Sequence, residues 1–443
     1  MKNRLLVLTC VVVLIGSVLA GCGGNEEKST STAEPSAKVA DNFTKDPVKI
    51  TFYSYAAAIN TEADLANLLG NPVKAKYPNI EIEQIKPANL AELVASGQIP
   101  DLIATTHVYM PDVLDVGLGG DLRDAIKGRN IDLGRMDPDI VNAMKMYGKN
   151  GEVFGIPYAM NYGTMVINKD IFDKFGVPYP TDNMTWDQYI DIAKKLTRSD
   201  NGVQYIGLDI GAPKTITRAM SLSTLDDKLQ KAALTTPGYV KAFSLFKQSY
   251  DIPGYVDDKK KYVYGLDYML KEQKLAMIPF WIQGLTSRVL ALKEAGSSLN
   301  WDIRAFPSMA DRPGVGREAE YQAFLVPPNA KNKEAAYRVI ETIIANETQE
   351  SLNKKGTILT VLNNPEMRTH FAEDTKVYEG KDLAGIFKVK PAPVPPSTEF
   401  DSKVYSILGN AQKSMVVEGA DINTVLRQAN EEADKVIQSE EMK

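Results

Sequence analysis

The sequence is poor in the side chains that build reactive sites. Its 443 residues include two cysteines and two histidines. Cys10 and Cys22 both lie near the amino terminus. The body beyond them therefore has no thiol for a disulfide, a redox pair or a cysteine-based metal site. His107 and His370 stand far apart, and no HExxH, GxSxG or phosphate-binding glycine loop occurs. Neither a catalytic residue, a metal nor a cofactor is expected. Neither sign of charge dominates either. Against 51 Lys and Arg stand 56 Asp and Glu, a formal net charge of −5. That mild acidity offers no basic footprint for nucleic acid. Carboxylates are plentiful, so composition leaves a glycosidase pair open. However, Asp200 before Asn201-Gly202, and the Asp257-Asp258 pair, read as turn and solvated-loop acids.

What the sequence does have begins at its amino terminus. Lys2 and Arg4 precede an apolar run over residues 5–15, then Gly16-Ser17-Val18. The run is shorter than the ~20 residues that span a bilayer. It ends in Leu19-Ala20-Gly21-Cys22, small residues where a signal peptidase reads them. This tetrapeptide resembles the bacterial lipobox, which implies a lipoprotein signal over residues 1–21 and acylation of the Cys22 thiol. An ordinary signal peptide or an uncleaved anchor is the competing reading. Residues 22–45 run through Gly23-Gly24 and a Ser/Thr/Ala stretch that cannot bury a core, so they read as a flexible tether. An acylated anchor with a tether holds a soluble body at a membrane without embedding it. The expected location is the extracytoplasmic face, at the outer surface of a Gram-positive-type cell.

The body reads as α/β. Residues 48–52 and 80–83 alternate apolar with polar, and residues 101–104 form a short buried strand. Residues 63–76 read as a helix weakened by Gly70 and Pro72. Strands alternating with helices imply a parallel sheet whose ligands sit beyond the strands' carboxyl ends. Tyr53, Tyr55, Thr105, Thr106, His107 and Tyr109 occupy such positions. Thr185 and Gln188 fit a capping box, and Trp186 behind them reads as core. Apolar faces behind Asn332 and Asp421, each a plausible N-cap, read as core-facing helices. Pro391-Ala392-Pro393-Val394-Pro395-Pro396 should be an extended strap.

The order of motifs carries more than any one of them. Tyr77-Pro78-Asn79-Ile80 is followed by Ala95-Ser96-Gly97-Gln98-Ile99-Pro100-Asp101, then Gly155-Ile156-Pro157-Tyr158. Next come Asn168-Lys169-Asp170-Ile171-Phe172, Thr185-Trp186-Asp187, Gln273-Lys274-Leu275-Ala276-Met277, Trp301-Asp302-Ile303-Arg304-Ala305-Phe306-Pro307 and Asn332-Lys333-Glu334-Ala335-Ala336. This series resembles the family 1 extracellular solute-binding proteins, lipoprotein receptors of ATP-driven importers. The match is weakest over residues 208–255. The resemblance implies a two-lobed, type II periplasmic-binding-protein-like fold, with three crossings and a ligand cleft between the lobes. On that basis residues 46–160 and 301–355 form lobe 1, and 161–300 and 356–443 form lobe 2.

The expected partners are a small ligand, a carbohydrate, and the permease of an ABC importer, with the chain itself a monomer. A sugar needs flat aromatic platforms and amide or hydroxyl partners. The expected ligand contacts are Tyr55, Thr106, His107, Tyr158, Asn161, Trp281, Gln283 and Tyr321. Trp281 leads because the preceding residues 275–278 read as a strand, and the resemblance implies a stacking residue near this position. A secreted polysaccharide-acting enzyme, or a binding module feeding a sensor, stays open as an alternative.

The lipobox reading has a direct test. Cys22→Ala should release unlipidated protein into the medium, whereas the parent should partition with membranes in detergent fractionation. A variant that stays membrane-bound would contradict the anchor.

Overall fold

Alternating β-branched and aromatic residues form the strands, and their pairings sort them into two main sheets. The computed structural model describes residues 43–441 apart from 58, 60 and 88. The signal, Cys22 and nearly all of the tether lie outside the described residues. In the first sheet β1 (Val48–Tyr55) runs parallel to β2 (Ile80–Gln84) and β3 (Leu102–Thr106). β3 is buried along its whole length, as a strand covered on both faces must be. The expected parallel sheet is therefore present, but a later strand enters it reversed. β10 (Glu320–Leu325) lies antiparallel between β3 and β4 (Ile156–Asn161).

The second sheet has β5 (Gly163–Asn168) at its centre. β8 (Met277–Trp281) and β9 (Trp301–Ala305) flank it, both antiparallel. A hairpin of β6 (Arg198–Asp200) and β7 (Val203–Tyr205) stands apart. Its turn is Asn201-Gly202, whose φ angles of 47° and 77° suit those two residues.

Single residues control the passages between sheets. Only Tyr162 separates β4 from β5. At Gly163 a β-carbon would stand 2.8 Å from the Phe306 ring, so glycine is what lets β5 begin there. The chain returns over residues 306–319 from β9 to β10. It passes a third time beyond Leu362, reaching Tyr378, whose ring meets that of Trp301. Two expected lobe boundaries need correction. Residues 301–305 belong to the second sheet, because β9 pairs with β5. Residues 359–361 stay with the first, through Met160 N to Leu359 O and Asp137 N to Val361 O. Alternation reveals a strand but not its partner.

Local chemistry explains the helices. Pro72 cannot donate a hydrogen bond, and a π turn over Ala66–Gly70 absorbs the fault by letting Asn71 N donate to Ala66 O. Thr185 and Gln188 form the expected capping box on the helix Trp186–Leu196. Asn332 precedes the helix Lys333–Ile343 but does not cap it; its side chain reaches Lys49 O and Asp101 instead. Asp421 does cap, accepting from Thr424 N at 3.0 Å. The proline segment is extended and pairs with the 315–317 stretch, Gly316 N donating to Lys390 O. No helix among the described residues is long and apolar enough to cross a membrane.

Trp186 lies in the core, 0% exposed, with its ring edge-on to Phe306 at 5.5 Å. Trp186→Ala should cost about 3–5 kcal/mol in denaturant melts, from lost burial plus the cavity left behind. A loss under 1 kcal/mol would remove Trp186 from the core.

Candidate functional site

A polar chain links the two sheets where the crossings meet. β4 ends in Asn161, whose side-chain oxygen accepts from Gln283 N at 3.2 Å. Gln283 opens the helix Ile282–Glu294, and its amide oxygen accepts from Gln322 Nε2 of β10 at 3.1 Å. Tyr158 Oη in turn donates to Gln322 Oε1 at 2.8 Å. These amides line a cleft of ≈ 410 Å³ together with Glu320 and the half-buried Trp281. An indole face beside several amides and a carboxylate can hold a ring that has both C–H faces and hydroxyls.

Beside this cleft lies a cluster of buried charges. The guanidinium of Arg218 donates through Nε to Glu318 Oε1 at 2.6 Å, and both side chains are 0% exposed. Its Nη1 reaches Ser397 Oγ, and its Nη2 stands 3.2 Å from His107 Nε2. Burial alone would lower the Arg218 pKa, but the Glu318 charge overrides this and holds the guanidinium ionised. Burial, and then the Arg218 charge, push the His107 imidazole well below its usual range, so the ring is neutral. A neutral imidazole has one acceptor nitrogen, so it accepts from only one of the two donors that face it, Arg218 Nη2 at Nε2 or Tyr321 N at Nδ1. Nearby, burial followed by the charges of Arg218 and Arg317 lowers the Lys214 ammonium to about 8. Lys214 lies 4.6 Å from the Tyr109 ring centroid. Burial raises the Glu320 carboxyl.

The expected ligand residues divide by position. Asn161, Trp281 and Gln283 meet at the cleft. Tyr55 is half-buried elsewhere, donating to Asp112 Oδ2 at 2.9 Å with its ring edge-on to Tyr109. Thr106, His107, Tyr158 and Tyr321 are buried and do not line this cleft. Tyr158 stacks on Phe324 at 3.9 Å, and His107 stacks on Tyr321 at 4.7 Å. They support the site from behind. Sequence reasoning missed Glu320, Arg317 and the Arg218–Glu318 pair. The only hint was a run of charges over residues 317–320 directly before an apolar strand. Among the described residues no group of three or more His, Cys, Asp or Glu could hold a metal.

Comparisons with known proteins bear on this arrangement. The family described as bacterial extracellular solute-binding protein matches over residues 37–375. A putative binding protein of Brucella abortus is 25% identical over 363 residues, covering 78% of this chain and 81% of the relative. An ABC substrate-binding protein from Listeria monocytogenes, solved in complex with cycloalternan, has a TM-score of 0.72 at 18% identity. That match covers 89% of this chain and 100% of the other. An ABC transporter solute-binding protein from Agrobacterium radiobacter, in complex with ribitol, has a TM-score of 0.64 at 21% identity, covering 88% and 99%. The common fold is the two-lobed periplasmic-binding type.

The buried pair can be tested by itself. Glu318→Gln leaves the Arg218 guanidinium buried without its counter-charge, and should cost about 3–5 kcal/mol in urea melts. Replacing both partners by apolar residues, Arg218→Met with Glu318→Leu, should recover much of that loss. Equal losses in the single and double variants would contradict the pairing.

Proposed function

Since the chain belongs to the bacterial extracellular solute-binding proteins, we propose that it captures a small carbohydrate in the cleft beside Trp281 and presents it to the permease of an ABC importer. The observation that carries this reading is the meeting of Trp281 with Asn161, Gln283 and Gln322 at the crossing between the sheets. One ring face offers dispersion to sugar C–H groups, and the amides offer both donors and acceptors to its hydroxyls. Because these groups come from both sides of the crossing, a ligand gains all of them only when the lobes close on it. Binding then shifts the population towards the closed form by its differential affinity. The permease reads the closed outline, and no catalysis is needed. Family membership implies an extracytoplasmic location, and the Cys22 lipid anchor completes the reading.

The test uses the mature chain without its acyl group and a thermal-shift screen of neutral sugars, oligosaccharides and polyols. A ligand bound only by the folded state adds about 2.7 kcal/mol at 100 times its dissociation constant. The best binder should also reduce the radius of gyration in small-angle scattering; saturation at constant radius would defeat hinge closure. Trp281→Ala should weaken that binder by about 1.5–3 kcal/mol, the worth of burying one large side chain. Fold stability should change by less than about 1 kcal/mol. A large stability loss with intact affinity per folded molecule would take Trp281 out of the site.

A further inference from the structure

Trp281 borders a second cavity as well. A space of ≈ 290 Å³ adjoins the cleft, and Phe280 and Trp281 line both. Arg317 lines the second space. Its guanidinium carbon lies 4.2 Å from the centroid of the Trp281 ring. The Arg317 side chain is only 10% exposed, yet its Nε has no hydrogen-bond partner. None of its other N–H groups donates to a described residue. The nearest carboxylate oxygen, Glu318 Oε1, stands 3.5 Å from that Nε and already accepts from Arg218 at 2.6 Å. Asp209, on the same cavity, is committed to the backbone N–H groups of Gly211, Tyr264 and Gly265. Glu320 faces the larger cleft.

A guanidinium carries five donors; the Arg317 Nε–H is buried without a hydrogen-bond partner, and leaving a buried donor unpaired is costly. Its planar fork matches the two oxygens of a carboxylate or a phosphate. The side chain is also held rigid, by the indole on one face and by the fully buried Glu318 beside it. Two guanidiniums, those of Arg218 and Arg317, lie against that one carboxylate. Lys214, one residue from the cavity-lining Thr215, makes no ion pair among the described residues, although the Glu320 and Glu318 charges act on it.

We infer that the Arg317 cavity is an oxyanion subsite, and that the preferred ligand is an acidic saccharide whose ring occupies the cleft at Trp281 while its carboxylate or phosphate reaches Arg317. This rests on the proposed sugar cleft for the ring and on Arg317 alone for the charge.

The test separates the two parts. Acetate and inorganic phosphate are titrated into the unlipidated mature chain at constant ionic strength, with tryptophan emission as the readout and Trp281→Phe to assign the signal. The expected result is a saturable response to one or both anions, which also tells carboxylate from phosphate. Arg317→Gln should weaken it at least tenfold, and Arg317→Lys should retain part of it. The free Arg317→Gln protein should melt only slightly lower than the parent, because no hydrogen bond is lost and only the indole contact and the 3.5 Å approach to Glu318 go. A marked fall in melting temperature would make Arg317 a structural partner of Glu318 and overturn the subsite. So would the absence of any saturable response, or an unchanged one in Arg317→Gln. In a second arm glucuronate, glucose 6-phosphate and glucose are compared, together with any neutral binder from the screen. Tighter binding of an acidic sugar, lost in Arg317→Gln, supports the inference. A neutral binder that ignores Arg317→Gln, with no gain for acidic sugars, removes the inference and leaves the sugar cleft standing. Anions bound at Arg317 with no saccharide bound anywhere would overturn the sugar cleft and keep the anion site.

Discussion

The Arg218–Glu318 pair joins parts of the chain that secondary structure alone would leave unconnected. Arg218 belongs to the helix Pro213–Ala219, and Glu318 to the stretch that returns the chain from the second sheet to the first. His107, directly after β3, and Ser397, directly after the proline segment, complete the same set. A buried ion pair is a weak source of net stability, because desolvation offsets much of its attraction. What it does supply is register. Three segments distant from its own helix satisfy one guanidinium only when all are in place.

This arrangement also explains what sequence reading could and could not reach. The capping box at Thr185, the turn at Asn201-Gly202 and the core position of Trp186 are local, so spacing alone announced them. So was the run of apolar residues that makes β8, which carries Trp281 as its last residue. Asn161 and Gln283 arrive at the cleft because they sit at element ends where crossings occur. Tyr321 lies off the cleft for a reason of parity: on β10 it falls between Glu320 and Gln322, which line it. Tyr158 lies off the cleft for a different reason, since it sits where β4 slips register against β10 and turns its ring onto Phe324. Arg218 and Glu318 were beyond reach because their partnership spans a hundred positions and rests wholly on tertiary geometry.

The two cavities differ in how firmly their walls are bonded. In the larger one the amides of Asn161, Gln283 and Gln322 already bond to each other or to backbone, so an incoming hydroxyl must compete with existing partners. In the smaller one the Arg317 Nε–H has no hydrogen-bond partner, only the Glu318 carboxylate at 3.5 Å, and the guanidinium lies over the indole of Trp281. Selectivity in such a pair falls mainly on the group that has the most to gain from being met.

The single-residue link at Tyr162 has a further consequence. Its neighbours are fixed on both sides, Met160 by Leu359 and Gly163 by its pairing with Trp281, and its own carbonyl accepts from Ile282 N at 3.0 Å. At this link, any swing of one sheet relative to the other is confined to a few backbone torsions. Such a joint has few degrees of freedom, so it loses little conformational entropy when a bound molecule stops it in one position.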